Sequence, residues 1–321
     1  MSSRTSRAGL LTVGAVSFTV LAWASAFVAI RSAGGAYSPG ALALGRLLAA
    51  SVVLVVLVLV RGEGLPPRGA WRGIVVSGLV WFAGYMVALN WGERLVDAGT
   101  AALLVNVGPI LMALLAARLL GEALPPRLLA GMAVSFAGAV VVGLSMSAGS
   151  AGSSRDGGST SLLGVVLCLL AAVAYAVGVV AQKPALSHGS PLQVTAFSCL
   201  IGTVACLPFS GQLFSEVADA PASATLNMLY LGVVPTALAF TTWTYALART
   251  PAGKMGATTY AVPAIVVLLS WLFLDEVPGW LTLLGGVLCL AGVAVSRSRA
   301  RAASRVVATA PVQEESTTTG S

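Results

Sequence analysis

Residues 40–60 read GALALGRLLAASVVLVVLVLV, an apolar run of 21 residues with one charged side chain, Arg46. A helix rises 1.5 Å per residue, so a run of this length matches the roughly 30 Å of hydrocarbon in a bilayer. Nine more apolar runs of similar length precede or follow it, bounded by Gly, Pro and charged residues. The ten predicted helices cover residues 10–30, 40–60, 71–91, 98–119, 127–147, 161–182, 191–210, 224–247, 254–274 and 279–296. A backbone in lipid must satisfy its own hydrogen bonds, so the pattern predicts an all-α integral membrane protein with ten transmembrane helices.

The composition of the 321-residue chain supports this prediction. It is 57% hydrophobic and 9% charged, with a mean hydropathy of +0.92, whereas soluble domains carry about 25% charged residues. The net charge is +7, but the basic residues are scattered singly through connections. A nucleic-acid interface would need a basic stripe interleaved with aromatic residues. We therefore expect the lipid bilayer, and no nucleic acid, as a partner.

Catalytic and cofactor chemistry find little support in the sequence. The predicted helix interiors hold no Asp, Glu or His, which acid–base or metal chemistry would need. The four cysteines lie in apolar runs without a CxxC motif, and no GxxxxGK[ST] loop is present for ATP. We expect no cofactor, no metal and no enzyme activity. A scaffold or receptor, a channel and, less favoured, a membrane enzyme remain alternatives to a transporter.

The distribution of basic residues predicts the orientation of the helices. With a cytoplasmic N-terminus, 14 of the 18 basic residues fall on the inside and three, Arg31, Arg94 and Arg155, on the outside. The inside set is Arg4, Arg7, Arg61, Arg68, Arg72, Arg118, Arg127, Lys183, Arg249, Lys254, Arg297, Arg299, Arg301 and Arg305. Cytoplasmic loops are enriched in Lys and Arg, so both termini of a cell-membrane protein are expected inside.

The sequence contains an internal repeat. Matching landmarks recur 152 to 154 residues apart: Trp23 and Tyr175, Arg31 and Lys183, Pro39 and Pro191, Pro109 and Pro263, Glu122 and Glu276. Five helices per copy is an odd number, so the copies must have opposite orientations, the inverted-repeat construction of secondary transporters. The predicted divisions are a cytoplasmic N-terminus (1–9), a first repeat (10–147), a Gly/Ser-rich linker (148–160), a second repeat (161–296) and a disordered tail (297–321).

Several short motifs resemble the EamA family of the drug/metabolite transporter superfamily. They are Trp23-Ala24-Ser25-Ala26-Phe27, Pro39 followed by Arg46, Pro109 with Gly121-Glu122, and GVVPTALAF at 232–240 before Trp243 and Tyr245. The resemblance spans about 285 residues. It implies a ten-helix fold and a central cavity lined by helices 1, 3, 4, 6, 8 and 9. It also implies export of metabolites, amino acids or drugs. Asp275-Glu276 departs from the usual Gly-Glu and leaves that helix end acidic.

Arg46 is the first candidate for a substrate contact, because a charge deep in the membrane costs about 2.5–3.5 kcal/mol on insertion scales. It lies seven residues past Pro39, and its repeat equivalent is Ser198. One interpretation is that Arg46 snorkels outward or caps carbonyls of a neighbouring helix. The other is that it gives the outer half of a cavity a positive charge that favours anionic or zwitterionic ligands.

The remaining cavity candidates are aromatic and amide residues: Trp23, Tyr85, Asn106, Tyr175, Trp243 and Tyr260. For a Trp or Tyr near a helix end, an interfacial belt is the alternative. Asn106 and Tyr260 each lie three residues before a proline and are expected to face the cavity, with interhelix packing as the alternative. Pro109 and Pro263 remove a helix hydrogen bond and are predicted hinges, although proline is common in membrane helices.

The acids near the membrane are predicted at helix ends, namely Glu63, Glu93, Asp97, Glu122, Asp275 and Glu276. There we expect them to act as anchors in the headgroup region. Without a midplane carboxylate to trade a proton for substrate, the sequence predicts transport down the substrate gradient, and coupling through an end carboxylate is the alternative.

Overall fold

A computed structural model describes residues 2–33, 35–96, 101, 104–151, 161–274 and 279–297. Several residues discussed above therefore lie outside the described part, among them Asp97, Arg155, Asp275, Glu276 and most of the tail. The helices are α1 (Ser2–Ala33), α2 (Pro39–Val60), α3 (Arg68–Leu95), α4 (Gly108–Leu120), α5 (Pro126–Ala151), α6 (Leu162–Ala185), α7 (Pro191–Asp219), α8 (Ala222–Leu247), α9 (Ala252–Thr259 and Ala261–Leu274) and α10 (Trp280–Arg297). Within these residues, nine helices are long and apolar enough to cross a membrane, and α4 is shorter.

Prolines and polar caps set where several helices start. Pro39 and Pro191 occupy the first turn of α2 and α7, where a missing N–H costs no helical hydrogen bond. Ser190 and Gln193 form a reciprocal capping box at the start of α7, with both hydrogen bonds at 3.0 Å. At the end of α4, Gly121 has φ 65°, a left-handed conformation that favours glycine.

Helix α7 is longer than predicted. It was expected to end at residue 210, yet it passes through a 3-10 turn at Leu207–Phe209 and continues to Asp219. Pro208 lies in the first turn of that 3-10 segment, so it restarts the helix instead of ending it. This extension brings two acids, Glu216 and Asp219, into the end of a membrane-spanning helix.

Helices α4 and α9, predicted as spans over 98–119 and 254–274 with hinges at Pro109 and Pro263, are broken at matching places. Asn106 and Val107 form a turn before Gly108, and Tyr260 forms a turn between the two parts of α9. The physical reason is that Pro109 and Pro263 have no N–H to donate to the carbonyl four residues earlier, and their rings clash with it. Both breaks lie three residues before the proline.

Residues that are equivalent in the two halves contact each other directly. Ser51 Oγ lies 2.8 Å from Thr203 Oγ1, at a spacing of 152 residues. Ser135 Oγ donates to the Cys289 carbonyl at 3.0 Å, at a spacing of 154 residues. A residue can contact its own equivalent only where a two-fold axis passes between the copies. The predicted fold, ten helices in two inverted five-helix repeats, is confirmed.

Helices α5 and α10 cross this axis with their backbones in contact. Four glycines allow the approach, Gly131 and Gly138 on α5 and Gly285 and Gly292 on α10. A Cβ placed on Gly138 would lie 2.6 Å from both Cys289 N and Gly285 O, too close for any side chain. Small residues of this kind are how membrane helices pack tightly. The pair forms a closely packed seam between the halves.

The third helix of each half contains a π-helical segment that the sequence analysis did not predict. The segments are Ser77–Tyr85 in α3 and Gly232–Leu238 in α8, and they start 155 residues apart. Each has a glycine among its first two residues, Gly78 and Gly232, packed against the second helix of the other half. A Cβ on Gly78 would lie 2.7 Å from Ser198 O, and one on Gly232 would lie 2.6 Å from Arg46 O. Such segments are rare and often lie at functional sites.

Candidate functional site

The two π-helical segments and their neighbours bring seven aromatic rings together in the middle of the bundle. The cluster consists of Trp23, Trp81, Phe82, Tyr85, Tyr175, Phe240 and Trp243, and is termed here the aromatic cluster. Ring centroids lie 4.9 Å apart for Trp23 and Trp243, 4.6 Å for Trp81 and Phe240, and 6.0 Å for Tyr85 and Tyr175. These distances suit tilted and edge-to-face aromatic contacts. The cluster joins α1, α3, α6 and α8.

Four of the predicted site residues, Trp23, Tyr85, Tyr175 and Trp243, belong to the aromatic cluster. Trp81 completes the cluster, and Phe82 and Phe240 belong to it too although they were not among the predicted site residues. Two features of the sequence point to these positions. The GVVPTALAF run ends on Phe240, and Gly78 and Gly232 are equivalent glycines 154 residues apart. Neither feature predicts a π-helical segment. A π-helical turn is wider than an α-helical turn, and whether it forms depends on packing against the neighbouring helices.

The aromatic cluster carries hydrogen-bonding groups that the protein leaves unused. Trp23 Nε1 donates to the Pro235 carbonyl at 3.1 Å. In contrast, the buried Trp243 Nε1 and Tyr175 Oη have no hydrogen-bond partner among the described residues. The Thr259 hydroxyl lies near Tyr175 but does not reach hydrogen-bond geometry. Unpaired buried polar groups are costly, so these two mark a place where water or a ligand is favoured.

Arg46 points into the bundle, away from the lipid. On the same helix, Leu48 and Val52 are 39% and 64% exposed, and they lie about 160° and 120° around the helix from Arg46 at 100° per residue. Arg46 Nε donates to Thr236 Oγ1 of α8 at 2.6 Å. Thr236 in turn donates to the Leu231 carbonyl five residues earlier, at 2.7 Å. The contact of Arg46 is therefore a hydroxyl held by the π segment, and neither headgroups nor helix-end carbonyls.

Two groups on α3 lie within electrostatic range of Arg46, namely Tyr85 and Glu93. Tyr85 belongs to the aromatic cluster, so the charge of Arg46 and the aromatic surface are adjacent. Glu93 was expected to be a headgroup anchor, like the other acids at helix ends. It lies two residues before the end of α3, and the structure instead places it near the one charge inside α2.

Asn106 and Tyr260 meet each other at the helix breaks. Tyr260 is fully buried, and its hydroxyl donates to the main-chain carbonyl of Asn106 at 2.8 Å. This carbonyl lies in the turn before Pro109, so the tyrosine supplies a hydrogen bond where the helix is interrupted. For Tyr260 the contact corresponds to the interhelix-packing alternative. Asn106 is partly exposed.

Glu122 does not project into the headgroup region as predicted. Its carboxylate accepts hydrogen bonds from Ala252 N at 2.9 Å and Gly253 N at 3.3 Å, and it lies 3.5 Å from Lys183 Nζ. Lys183 also donates to the carbonyls of Leu247, at 2.9 Å, and Thr250. The side chains of Lys183 and Glu122 are 22% and 15% exposed. We term this group the ion-pair clasp.

The ion-pair clasp joins the last turns of α4, α6 and α8 to the first turn of α9. It lies at the face of the bundle where α1 begins, termed here the first face. The carboxylate is favoured at the start of α9 because free N–H groups and the positive end of the helix dipole lie there. The repeat equivalents, Glu276 and the Arg31 side chain, lie outside the described part of the structure.

Comparison with known proteins identifies the family. The sequence profile of the EamA-like transporter family matches residues 10–144 and again 162–298. A "Probable terminal-alkyne amino-acid exporter" of Streptantibioticus cattleyicolor is 37% identical over 287 residues, covering 89% of this chain and 93% of that protein. The "Uncharacterized transporter YdfC" of Bacillus subtilis is 32% identical over 271 residues, covering 84% and 86%. A solved crystal structure matches this chain with a TM-score of 0.71 at 25% sequence identity. The match covers 89% of this chain and 97% of the matched chain.

Proposed function

Since this chain belongs to the EamA-like transporter family, we propose that it exports a small amphipathic amino acid, or a related metabolite or drug, by alternating access. The chain is a multi-pass membrane transporter of the drug/metabolite type. The observation that carries the finer proposal is the amphipathic character of the central site. In the spanning helices that the structure describes, Arg46 is the one cation away from the helix ends, and it lies beside an aromatic surface. Sites for small ligands are mostly apolar, with a few polar groups that fix orientation.

The proposed cavity residues are Trp23, Arg46, Tyr85, Asn106, Tyr175, Trp243 and Tyr260. Trp81 and Phe240 join them, because they complete the aromatic cluster. Export of an amino acid is supported by the relative from Streptantibioticus cattleyicolor, whose name describes that activity. An amino acid with an apolar side chain offers both a charged end for Arg46 and an apolar end for the aromatic rings.

Alternating access is supported by structural features that occur in both halves. The breaks before Pro109 and Pro263 place a flexible point in equivalent helices, α4 and α9, which we propose as the hinges. The seam of α5 and α10 supplies a rigid support for these movements. The ion-pair clasp closes the first face by joining α4 and α6 to α8 and α9, and it must open when that face opens.

We place the protein in the cell membrane with both termini in the cytoplasm. The 14 to 3 distribution of basic residues supports this orientation and makes the first face cytoplasmic. A reporter enzyme that works only outside the cytoplasm should then be active when it is fused after residue 153. A reporter that works only in the cytoplasm should be active when it is fused after residue 299. The reverse pattern contradicts the orientation.

We also propose that export runs down the substrate gradient without proton coupling. Among the described residues, the acids within spanning helices are Glu93, Glu216 and Asp219, all near helix ends. A proton-coupled exchanger commonly uses an acid deeper in the membrane. Proteoliposomes loaded with substrate should therefore release it at equal pH on both sides. Concentrative transport driven by a proton gradient, and lost in Glu122→Gln, contradicts this proposal.

The test of export uses the purified full-length protein in liposomes. Radiolabelled L-propargylglycine, a terminal-alkyne amino acid, and L-leucine are loaded inside, and release is compared with protein-free liposomes. We expect faster release with the protein, a marked loss in Trp81→Ala within the aromatic cluster, and little loss in Trp280→Ala, whose side chain is 71% exposed. Release no faster than in protein-free liposomes for both amino acids refutes export of this class.

A further inference from the structure

Arg46 has hydrogen-bonding capacity that the protein does not use. Its Nε is occupied by Thr236. The two terminal nitrogens, which carry four N–H donors, have no partner within the residues described for this chain, and they are not among the fully buried unpartnered atoms. The side chain is partly exposed although it points into the bundle. The terminal nitrogens, which form the free edge of the guanidinium, therefore remain available to a bound ligand.

We propose that this free edge of Arg46 binds the carboxylate of the exported molecule, with Thr236 as the residue that positions the guanidinium; the inference rests on the export function proposed above. Two parallel N–H groups on the guanidinium edge match the two oxygens of a carboxylate. Thr236 fixes the plane of the guanidinium, since its hydroxyl is itself held by the Leu231 carbonyl.

The local charge favours a carboxylate over a phosphate. In the described spanning helices, every other Lys or Arg lies near a helix end, so Arg46 is a single positive charge. It balances one negative charge, whereas a phosphate dianion would remain under-compensated in a site of low dielectric constant. Within electrostatic range of Arg46, Tyr85 and Cys199 add no positive charge, and Glu93 adds a negative charge, which disfavours a phosphate dianion further.

The two halves of the protein differ at this position, and the difference gives the site a direction. Ser198 is the repeat equivalent of Arg46, and both lie against the first residues of a π segment. The Ser198 hydroxyl is already used, since it donates to the Ile74 carbonyl at 3.2 Å. Of these two equivalent positions only Arg46 carries a charge, so the substrate binds with its carboxylate toward α2 and α8.

The proposal is tested by counterflow of radiolabelled L-propargylglycine in proteoliposomes, in competition with unlabelled L-propargylglycine or its carboxamide. In the wild type, the acid should compete about 10- to 100-fold better than the carboxamide, the range expected for one charged hydrogen-bonded pair. Arg46→Gln should abolish this preference, and Arg46→Lys should retain part of it. Arg249→Gln removes an exposed cation and serves as the matched control, with the preference unchanged. Equal competition by acid and amide in the wild type overturns the proposal, and so does an unchanged preference in Arg46→Gln.

A second measurement separates failure of the site from failure of export. The arginine reagent phenylglyoxal is applied to the purified full-length protein, and modification of Arg46 is followed by peptide mass spectrometry. Millimolar L-propargylglycine should slow the modification of Arg46 several-fold while the carboxamide leaves it unchanged, and modification of Arg249 should be unaffected by either. Protection without counterflow means that carboxylate binding stands and the export proposal fails. Absence of specific protection at Arg46 overturns the carboxylate site, even if counterflow is observed.

Discussion

Removal of the Glu122 carboxylate should open the first face of the protein. Glu122→Ala deletes two hydrogen bonds from backbone N–H groups to a charged acceptor, each worth about 1.5–3 kcal/mol, and leaves Lys183 without its counter-charge. Breaking a buried pair by removing one partner costs about 3–5 kcal/mol, and the partial exposure of both side chains lowers this figure. We therefore expect the closed arrangement to lose about 2–4 kcal/mol, which corresponds to a change of roughly 30- to 1000-fold in the closing equilibrium.

The assay measures access to a buried position one helical turn into α9. Met255 is fully buried, and a Met255→Cys reporter should react slowly with a membrane-impermeant maleimide added at the first face. In the Glu122→Ala background, the labelling rate at this cysteine should rise by at least about 30-fold. Peptide mass spectrometry distinguishes this site from the four native cysteines, all of which are buried.

A second variant tests whether the unpaired charge of Lys183 causes the faster labelling in Glu122→Ala. Adding Lys183→Met to Glu122→Ala removes the uncompensated charge, so labelling should fall back part of the way toward the rate of the unmodified background. Labelling that is unchanged by Glu122→Ala would falsify the role of the ion-pair clasp. A double variant that labels faster still would show that Lys183 stabilises closure through its carbonyl contacts alone.

Three further outcomes follow from the packing. Gly138→Ala should lower the free energy of unfolding in detergent by about 1–3 kcal/mol, because the new Cβ meets backbone atoms of α10. The control Gly14→Ala, at a glycine with no neighbour within 4 Å, should be neutral or slightly stabilising. Equal shifts in thermal unfolding for the two variants contradict the close packing of α5 and α10. Thr236→Val should raise the KM for the proposed amino-acid substrate without loss of folded protein, because Arg46 loses its support. An unchanged KM means that Thr236 serves packing only. Tyr260→Phe should cost about 1 kcal/mol in thermal unfolding through the lost bond to the Asn106 carbonyl, and no change means that water replaces the hydroxyl.

The helices and the repeat could be predicted from the sequence because both depend on local or periodic patterns. Apolar runs of about 20 residues set the spans, and landmarks such as Pro39 and Pro191 recur at a constant spacing. The same spacing of 152 to 154 residues reappears as direct contacts in the structure. The aromatic members of the candidate site were accessible for the same reason, since several of them are repeat equivalents or belong to family motifs.

What the sequence could not supply depends on contacts between distant segments. The π segments are not encoded by a residue type, since Ser77–Tyr85 contains no proline while Gly232–Leu238 contains Pro235. Glu122 resembled a headgroup anchor because nothing near it in sequence shows that α9 begins beside it. The partner of Arg46, Thr236, lies 190 residues away along the chain.

The contacts between repeat equivalents carry a consequence for how substitutions combine. At most pairs of equivalent positions the two copies are far apart, so a change in one half is energetically independent of the same change in the other. Ser135 and Cys289 are different, because each is part of the other's environment. In a double-mutant cycle, substitutions at such a pair should be non-additive. The axis therefore divides the protein into positions where the two copies are free to diverge and a few where they can change only together.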